Sequence, residues 1–390
     1  MDKVDRKQIN ELIRKGIVTG DTAFCGPEHV VVDLTNRCNN NCIACWTKSP
    51  LLDGSGPDSG WHRQQLSTQV VHQLIEELAA LGTKIVRFTG GGEPFLHPDI
   101  YELISAVKRQ DMFCAVTTSL GMVRSGDVER LIATGVDELS VSLWAADEET
   151  YQATHPGKSG ERFSEITRVL RAVAARKRKS RLRSLLRLPQ GSAPKITLLN
   201  VISSVNFAQV EKMYDYAREV GADALYFTVV DPIPDYTDSL LLTQEQRQQV
   251  IHACQNILCK NNSLPNRKQL ELDNFEGFYN RLHAQGAADG HYDEADINEL
   301  PCYIGWLFCR VMANGEVVPC CRGVELALGN LNEQGFKEIW FSKKYGRFRK
   351  MAKETEKSHP FFSSIGCGKT CDNRMHNEEI QNRLFPNHQS

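Results

Sequence analysis

Three cysteines near the N-terminus have the types and spacing that could do chemistry. Cys38, Cys42 and Cys45 form a C-x-x-x-C-x-x-C triplet. Iron prefers thiolate ligands, and a cubane [4Fe-4S] cluster has four irons, so three cysteines would leave one iron open to an outside ligand. A zinc knuckle and incidental core thiols are the alternatives. The triplet therefore predicts an iron–sulfur cluster with one open iron.

A glycine-rich segment is the second candidate. Residues 89–94 contain three consecutive glycines followed by Glu93. Glycines serve where the backbone must approach a ligand closely or adopt positive φ. The carboxylate and the backbone carbonyls suit a cationic ammonium group, whereas neither phosphate-binding glycine pattern is complete here. The alternative is a tight turn in which Glu93 only caps the following segment.

A second cysteine-rich region occupies the last 90 residues. Its cysteines are Cys302, Cys309, Cys320, Cys321, Cys367 and Cys371. An Asn-Gly pair at residues 314–315, between apolar runs, predicts a hairpin in which residues 306–312 pair with residues 316–318. Such a hairpin would bring the cysteines of its two arms close together, for a cluster or for a four-cysteine zinc site.

Strand-like and helix-like segments alternate from residue 30 to residue 230. Strands are predicted over 30–34, 84–89, 113–118, 138–143, 195–202 and 224–230, and helices over 68–81, 98–110, 127–134, 164–184 and 208–220. Six such units predict a mostly parallel sheet rolled into a partial barrel. Functional loops should then gather at the carboxyl ends of the strands, where the cysteine triplet and the glycine segment both lie.

Composition limits the class of protein. The chain has 390 residues, 41% hydrophobic and 24% charged, which predicts a globular protein with a sizeable core and two or three domains. The N-terminus lacks the apolar region of a signal peptide, and no run of ~18 apolar residues could span a bilayer. The 13 cysteines are clustered, which favours reducing conditions and a cytoplasmic location. A net charge of -2 argues against general nucleic-acid binding.

The chain resembles the radical S-adenosylmethionine (SAM) superfamily, whose hallmarks are the C-x-x-x-C-x-x-C loop after the first strand and a G-G-E-P loop after the second. The resemblance implies an α/β fold: a partial (β/α)6 barrel of the radical SAM type with a small C-terminal cysteine-rich SPASM/Twitch domain. It implies that Cys38, Cys42 and Cys45 hold a [4Fe-4S] cluster that binds SAM, and that Gly91, Gly92 and Glu93 contact the methionine ammonium group. It also implies reductive cleavage of SAM to a 5′-deoxyadenosyl radical and an electron donor such as flavodoxin or ferredoxin.

Two further strand ends look like the contacts that the family makes to its cofactor. Ser119 stands where many members have the glycine of a T-N-G motif, and Ser142 lies on a strand similar to the serine-bearing fourth strand, so both are candidate polar ligands. The aromatic residue usual before the third cysteine is Ala44 here, so Trp46 either packs near the adenine or belongs to the core. Trp144 replaces a common acidic residue and either faces a substrate or is buried.

The C-terminal hairpin resembles the start of a SPASM/Twitch extension, and the short form with one auxiliary [4Fe-4S] cluster fits best. The resemblance assigns its ligands as Cys302, Cys320, Cys367 and Cys371, with Cys309 and Cys321 as rivals. The predicted domains are an N-terminal helical lead (1–27), the barrel (28–235), a helical bridge (236–300) and the auxiliary-cluster domain (301–390).

The resemblance predicts an enzyme, and the reaction is the open part. Oxidation or epimerisation of a carbohydrate or aminocyclitol, with the auxiliary cluster relaying an electron, is the first hypothesis. The alternatives are a ribosomal-peptide maturase that crosslinks or epimerises its substrate, and a non-catalytic iron–sulfur or zinc scaffold. His97, Tyr151 and His155 could each handle a proton, but the histidines suit loop capping equally well, so no catalytic residue is assigned.

Overall fold

The structure, a computed structural model, describes residues 6–157, 161–185, 193–297, 299–356 and 359–386. Its strands are β1 His29–Asp33, β2 Ile85–Thr89, β3 Phe113–Thr118, β4 Glu138–Ser142, β5 Lys195–Ile202, β6 Ala224–Val229, β7 Glu271–Asp273, β8 Phe308–Val311, β9 Glu316–Val318 and β10 Gly329–Asn330. Its helices are α1 Arg6–Thr19, α2 Ser59–Arg63, α3 Thr68–Ala80, α4 Ile100–Arg109, α5 Val128–Ala133, α6 Glu148–Thr154, α7 Glu161–Leu185, α8 Val210–Val220, α9 Gln244–Asn262, α10 Phe275–His283, α11 Glu294–Ile297, α12 Ile304–Leu307, α13 Phe336–Trp340, α14 Lys343–Glu354, α15 Pro360–Ser363 and α16 Arg374–Leu384.

All ten strands form one sheet in the order β10-β9-β8-β1-β2-β3-β4-β5-β6-β7. The strands from β1 to β6 are neighbours in chain order and run parallel, with helices between them. This arrangement confirms the predicted parallel α/β sheet. Because the strands are parallel, the loops that follow them meet at one edge of the sheet, called here the mouth.

The two faces of the sheet differ in chemistry. Residues such as Val30, Phe88 and Val141 are fully buried on the outer face, where the helices pack. The inner face, called here the lumen, carries polar residues at the alternate positions. Arg87 lies there and donates to Ser140 at 2.9 Å. Alternation of side chains along each strand separates these two sets.

Contacts between distant strands show that the sheet curves. Ile43, in the loop after β1, packs against Val230 and Val201 at the ends of β6 and β5. Arg322, which follows β9, forms an ion pair with Asp231, which follows β6. These contacts join opposite sides of the mouth, as a partial barrel requires.

The C-terminal hairpin forms, but its first strand begins later than predicted. Residues 304–307 make a helical turn, and β8 starts at Phe308. Trp306 belongs to this turn because its indole N–H donates to the carbonyl of Thr22 at 2.8 Å, which draws the residue out of the strand. β8 then pairs parallel to β1 with His29 opposite Phe308. The sheet therefore crosses the proposed domain boundaries at 235 and 300.

The N-terminal helix α1 packs on the barrel through Ile9, Ile13 and Ile17, which repeat at helical spacing and are buried. Among the described residues, no helix has the length and apolar character needed to cross a membrane.

Acidification should destabilise the fold through His29. Burial, aided by Arg87, lowers the pKa of His29 to about 3. In the unfolded chain this histidine has its ordinary pKa near 6.5, so below that pH it binds a proton that the folded chain does not. The contribution of His29 to the free energy of unfolding is therefore complete above about pH 6.5 and is lost as the pH falls below it. We expect a loss of about 1 kcal/mol from this residue at pH 5.5. Denaturant unfolding of the wild type and of His29→Gln at pH 7.5 and 5.5 checks this; an equal pH effect in both proteins would contradict it.

Candidate active site

The loop after β1 brings the three N-terminal cysteines together. The backbone N–H of Asn40 donates to the Cys38 thiol at 3.4 Å, and the N–H of Cys45 donates to the carbonyl of Cys42 at 3.1 Å. Lys48 donates to the carbonyl of Cys38 at 2.6 Å. These short-range bonds wind the loop so that its thiols converge.

The donor set fits an iron–sulfur cluster. Burial raises the pKa of Cys42 well above its usual range, and the neighbouring Cys45 and Cys38 raise it further. Burial also raises the pKa of Cys38. Such thiols lose their protons readily only when a cation replaces them, which is what bound iron does. In the part of the chain that the structure describes, no three Cys, His, Asp or Glu side chains are spaced to hold a single metal ion.

The glycine segment is packed directly against the cysteine loop. A Cβ on Gly92 would lie 2.1 Å from the carbonyl oxygen of Arg37, and a Cβ on Gly91 would lie 2.4 Å from Oδ1 of Asn36. The N–H of Glu93 donates to the same Arg37 carbonyl at 2.8 Å. Positive φ is not the reason for these glycines, because neither adopts it. Glycine is required here by close approach between the two loops.

Replacing Gly92 with alanine should therefore displace the cysteine loop. A methyl group at 2.1 Å from a backbone oxygen cannot be accommodated without backbone movement. We expect Gly92→Ala to lower cluster occupancy and SAM affinity by about tenfold or more, equivalent to a shift of at least ~1.4 kcal/mol. Iron analysis and calorimetric SAM titration measure this. Gly126→Ala is the matched control because its Cβ meets nothing within 4 Å; similar behaviour of the two variants would contradict the argument.

Glu93 joins the loops after β2 and β3. Its Oε1 accepts from Thr118 Oγ1 at 2.6 Å and from the N–H of Phe95 at 3.1 Å. Its Oε2 accepts from the N–H and the hydroxyl of Ser119, at 2.8 and 2.6 Å. A carboxylate has about four acceptor positions, so these donors use them all. Glu93 also caps the 3₁₀ turn of residues 94–96. The ammonium contact stays a prediction.

The two candidate serines differ in their surroundings. Ser119 gives its only hydroxyl hydrogen to Glu93, so it could offer a cofactor only acceptor lone pairs. Ser142 lies two residues beyond Ser140 and therefore on the same lumen-facing side of β4. The binding roles of both serines remain predictions.

The second set of cysteines also converges. Burial raises the pKa of Cys371 well above its usual range, and the neighbouring thiols of Cys302, Cys367 and Cys320 raise it further. Three of these cysteines line one cavity: Cys302, Cys367 and Cys371. The four residues predicted as auxiliary-cluster ligands are thus brought together.

Cys309 and Cys321, the alternative ligands of the auxiliary cluster, have different surroundings from this group. Cys309 is fully buried in the core, where burial raises its pKa and Arg349 lowers it. Cys321 lies next to Cys320 but interacts with Arg310, which forms an ion pair with Asp33 in the lumen. Burial raises the pKa of Cys321 to about 11. Cys321 therefore faces the barrel and Cys309 faces the core.

Two sequence profiles match this chain. The profile of the radical SAM superfamily matches residues 32–182, and the profile of the SPASM iron–sulfur cluster-binding domain matches residues 302–364. The chain belongs to the radical SAM superfamily. It is accordingly an enzyme of that superfamily, and its cofactors are SAM, a SAM-binding [4Fe-4S] cluster and an auxiliary [4Fe-4S] cluster.

Radical SAM proteins of several kinds are similar to it over most of their length. An AdoMet-dependent heme synthase of Methanosarcina barkeri is 25% identical over 80% of this chain and 82% of that protein. A PqqA peptide cyclase of Gluconobacter oxydans is 26% identical over 80% and 76%. The fold is similar to that of SuiB from Streptococcus suis bound to its precursor peptide SuiA, with a TM-score of 0.61, 16% identity and coverage of 92% of this chain and 74% of that chain.

The tryptophans of the radical SAM barrel have distinct positions. Trp46 is half exposed and therefore is not a core residue; its ring lies 5.1 Å from the guanidinium of Arg322. Trp144 is buried and adopts a φ of 58°, which is strained for a side chain of this size. Its carbonyl accepts from Asn206 Nδ2 at 2.9 Å, which holds the turn.

The proton-transfer candidates are engaged in packing. His97 is buried, with Nε2 3.0 Å from the Leu66 carbonyl and Nδ1 accepting from the N–H of Asp99 at 3.2 Å, so it caps its loop. His155 stacks on Tyr151 with ring centroids 4.4 Å apart. These contacts give none of the three a free path to a substrate, and the catalytic acid or base stays unassigned.

Sequence patterns alone missed two buried ion pairs beside the C-terminal cysteines. Asp293 forms a bidentate pair with Arg281 and accepts from the N–H of Cys371 at 2.9 Å. Arg310 binds both oxygens of Asp33, with Nε 3.1 Å from Oδ1 and Nη2 2.7 Å from Oδ2. The sequence did contain a signal for the first of these acids, because Asp33 is a charged residue at the end of an otherwise apolar strand. It contained none for Asp293, which lies in a polar stretch.

Proposed function

We propose that this radical SAM enzyme modifies a peptide, by crosslinking or epimerisation. When bound and reduced, the SAM-binding cluster supplies a 5′-deoxyadenosyl radical that abstracts a substrate hydrogen. Cys38, Cys42 and Cys45 would hold that cluster, and Cys302, Cys320, Cys367 and Cys371 would hold the auxiliary one. What distinguishes the candidate substrates is the surface at the mouth of the barrel.

The observation that carries the proposal is an apolar rim around the mouth. Its members are Trp46, Leu51, Met122, Val205 and Tyr236, from the loops after β1, β3, β5 and β6, and they are 37% to 50% exposed. These loops adjoin: Ser204 N donates to the Leu240 carbonyl at 2.9 Å between the last two. Because all five residues follow the carboxyl ends of barrel strands, they share one edge of the sheet, where exposed apolar side chains favour a ligand with apolar groups of its own.

The lumen below the rim is polar but internally paired. Arg310 pairs with Asp33, Arg281 with Asp293, and Arg322 with Asp231. A sugar or aminocyclitol presents hydroxyl or ammonium groups that need hydrogen-bond partners, and binding one here would compete with these ion pairs. A peptide can instead place apolar side chains on the rim, which is compatible with a lumen whose charged side chains are already paired.

One relative, the PqqA peptide cyclase of Gluconobacter oxydans, supports the same choice. The likeness to SuiB speaks for the fold alone. Oxidation of a carbohydrate or aminocyclitol, the first hypothesis from the sequence, remains a prediction that the rim disfavours.

Transfer of deuterium tests the substrate class directly. The anaerobically reconstituted enzyme, with dithionite and SAM, is given either a tryptic digest of a fully deuterated bacterial lysate or perdeuterated glucose and inositol. We expect deuterium in 5′-deoxyadenosine from the peptides and not from the sugars, as read by mass spectrometry. The reverse result would assign the enzyme to carbohydrate oxidation.

A pair of variants tests whether deuterium transfer from peptides depends on the rim. Trp46→Ala should reduce deuterium transfer from peptides by about tenfold, the effect of losing a buried aromatic contact of ~1.4 kcal/mol. Val18→Ala is the matched control, because Val18 is also exposed but lies on α1, at 62% exposure. Equal transfer by both variants would remove the rim from the proposal.

The heme synthase relative raises a second candidate, a heme-like macrocycle. A flat apolar ring would also contact the rim. Its carboxylates, however, would need cations, and Arg322 at the mouth already pairs with Asp231. Titration with hemin checks this candidate, since binding would shift the Soret absorption band; we expect no saturable shift.

A further inference from the structure

A wall of aromatic residues lies directly behind the cysteine loop. Helix α6 packs against the loop, and the N–H of Ile43 donates to the Thr154 carbonyl at 3.0 Å. Tyr151, one turn earlier on that helix, is completely buried. Its ring stacks on His155 at 4.4 Å and lies 5.9 Å from Phe163. Tyr151 therefore lies under the loop segment that contains Cys42, held by rings on both sides.

The hydroxyl of Tyr151 is buried and makes no hydrogen bond in the structure. Buried polar groups are almost always paired, so a specific exception needs an explanation. A tyrosine hydroxyl also normally finds a partner when its ring is buried. The ring is fixed by its neighbours and cannot turn its hydroxyl to solvent. The missing hydrogen-bond acceptor must therefore be supplied by a group that binds next to the hydroxyl.

The charged and ionisable groups around the hydroxyl narrow the choice of acceptor. They are Cys42, Arg162, Glu148 and Glu93. Arg162 has only donors, and the acceptor positions of Glu93 are filled by Thr118, Ser119 and Phe95. Glu148 accepts from Gln152 through Oε1, and its Oε2, although buried and unpartnered, makes no hydrogen bond to Tyr151. Of the four groups, Cys42 acts on the hydroxyl most strongly, and a cluster bound there would add anionic sulfur on that side.

Trp144 belongs to the same aromatic wall and, like Tyr151, has a buried donor without a partner. Its indole N–H is also buried without a partner, and its ring lies 5.3 Å from that of His155. Its strained backbone is held by Asn206, as described above. Strain of this kind persists where the surroundings enforce it, and it clusters at functional sites. Two unpaired donors thus lie in the same aromatic wall behind the cysteine loop.

We propose that Tyr151 donates its hydroxyl hydrogen to a sulfur of the SAM-binding cluster and so raises the reduction potential of that cluster. The reduced cluster carries one more negative charge than the oxidised cluster, so a donor stabilises the reduced state more. Hydrogen bonds to cluster sulfurs are an established determinant of potential. Tyr151 is in this view a positioning residue and not a catalytic one. The proposal does not depend on which substrate the enzyme uses.

The test is an anaerobic redox titration of the reconstituted full-length protein, followed by electron paramagnetic resonance. The signal that changes when SAM is added identifies the SAM-binding cluster. At the wild-type midpoint potential, Tyr151→Phe should lower the ratio of reduced to oxidised cluster by about threefold to tenfold, the effect of one hydrogen bond. A tenfold change corresponds to ~59 mV for one electron.

Tyr345→Phe is the matched control. Tyr345 is also fully buried with an unpaired hydroxyl, but Cys309 is the thiol that acts on it most. This variant removes the same atom and should leave the SAM-binding cluster unchanged. Site-specific 3,5-difluorotyrosine at position 151, a stronger donor, should move the ratio in the opposite direction, and it keeps the proposal testable if Tyr151→Phe cannot be loaded with iron.

Two outcomes would overturn the proposal. The first is an unchanged titration in both the phenylalanine and the difluorotyrosine proteins at full iron content. The second is a shift that appears only with SAM bound and is accompanied by weaker SAM binding, because the hydroxyl would then contact SAM and not sulfur. A shift without SAM, absent in Tyr345→Phe, supports it.

Discussion

Replacing Cys38, Cys42 and Cys45 together with alanine will abolish the formation of 5′-deoxyadenosine from SAM. The three thiols converge in one loop and form a donor set for iron, so without them the SAM-binding cluster has no attachment. We expect product below detection by chromatography. We also expect about half of the iron to remain, because an auxiliary [4Fe-4S] cluster carries about four of the eight irons.

Cys259→Ala is the control for this experiment, because Cys259 is an exposed cysteine on α9 and belongs to neither group of thiols. It should retain full iron and normal product formation. Normal turnover in the triple variant would mean that the primary cluster is elsewhere. Loss of all the iron would mean instead that the two clusters are not assembled independently.

Replacing Asp293 with alanine will destabilise the fold by about 3–5 kcal/mol. Asp293 is 2% exposed and binds Arg281 through two hydrogen bonds, so its removal leaves a buried guanidinium without its countercharge. It also releases the N–H of Cys371. Denaturant unfolding of the anaerobic protein measures the stability, and iron analysis should show loss of the auxiliary cluster before that of the SAM-binding cluster.

Glu102→Ala provides the comparison. Glu102 also pairs with an arginine, Arg109, but both side chains are about half exposed. Exposed pairs contribute little, so we expect a change below about 1 kcal/mol. If the two variants unfold at the same denaturant concentration, burial of the Asp293 pair has no special effect and the proposed support of Cys371 is wrong.

The barrel strands were predictable because their signals are local. The strands over residues 113–118 and 195–202 were predicted with the bounds that the structure shows. Short apolar runs between helical periods suffice for this. The helix predicted over 208–220 indeed ends there, at Gly221, which adopts a φ of 81°. The convergence of the cysteines also followed from their spacing and from the meeting of loops at one edge of a parallel sheet.

Long-range contacts of single side chains were not predictable. Glu93 was expected to face a cofactor, and nothing in its own segment indicates that Thr118 and Ser119 would occupy its oxygens. The pair of Arg310 with Asp33 joins residues 277 positions apart. Such partners depend on how the sheet curves and where the C-terminal hairpin docks, and local periodicity carries no information on either.

The parallel pairing of β8 with β1 has a consequence for how this protein is made. His29 lies opposite Phe308, so one side of β1 remains without a strand partner until the ribosome has synthesised most of the chain. Contacts so distant in sequence slow folding, and an open strand edge invites pairing with another chain. We expect the nascent barrel to depend on chaperones, and cluster insertion to wait until synthesis has passed β8.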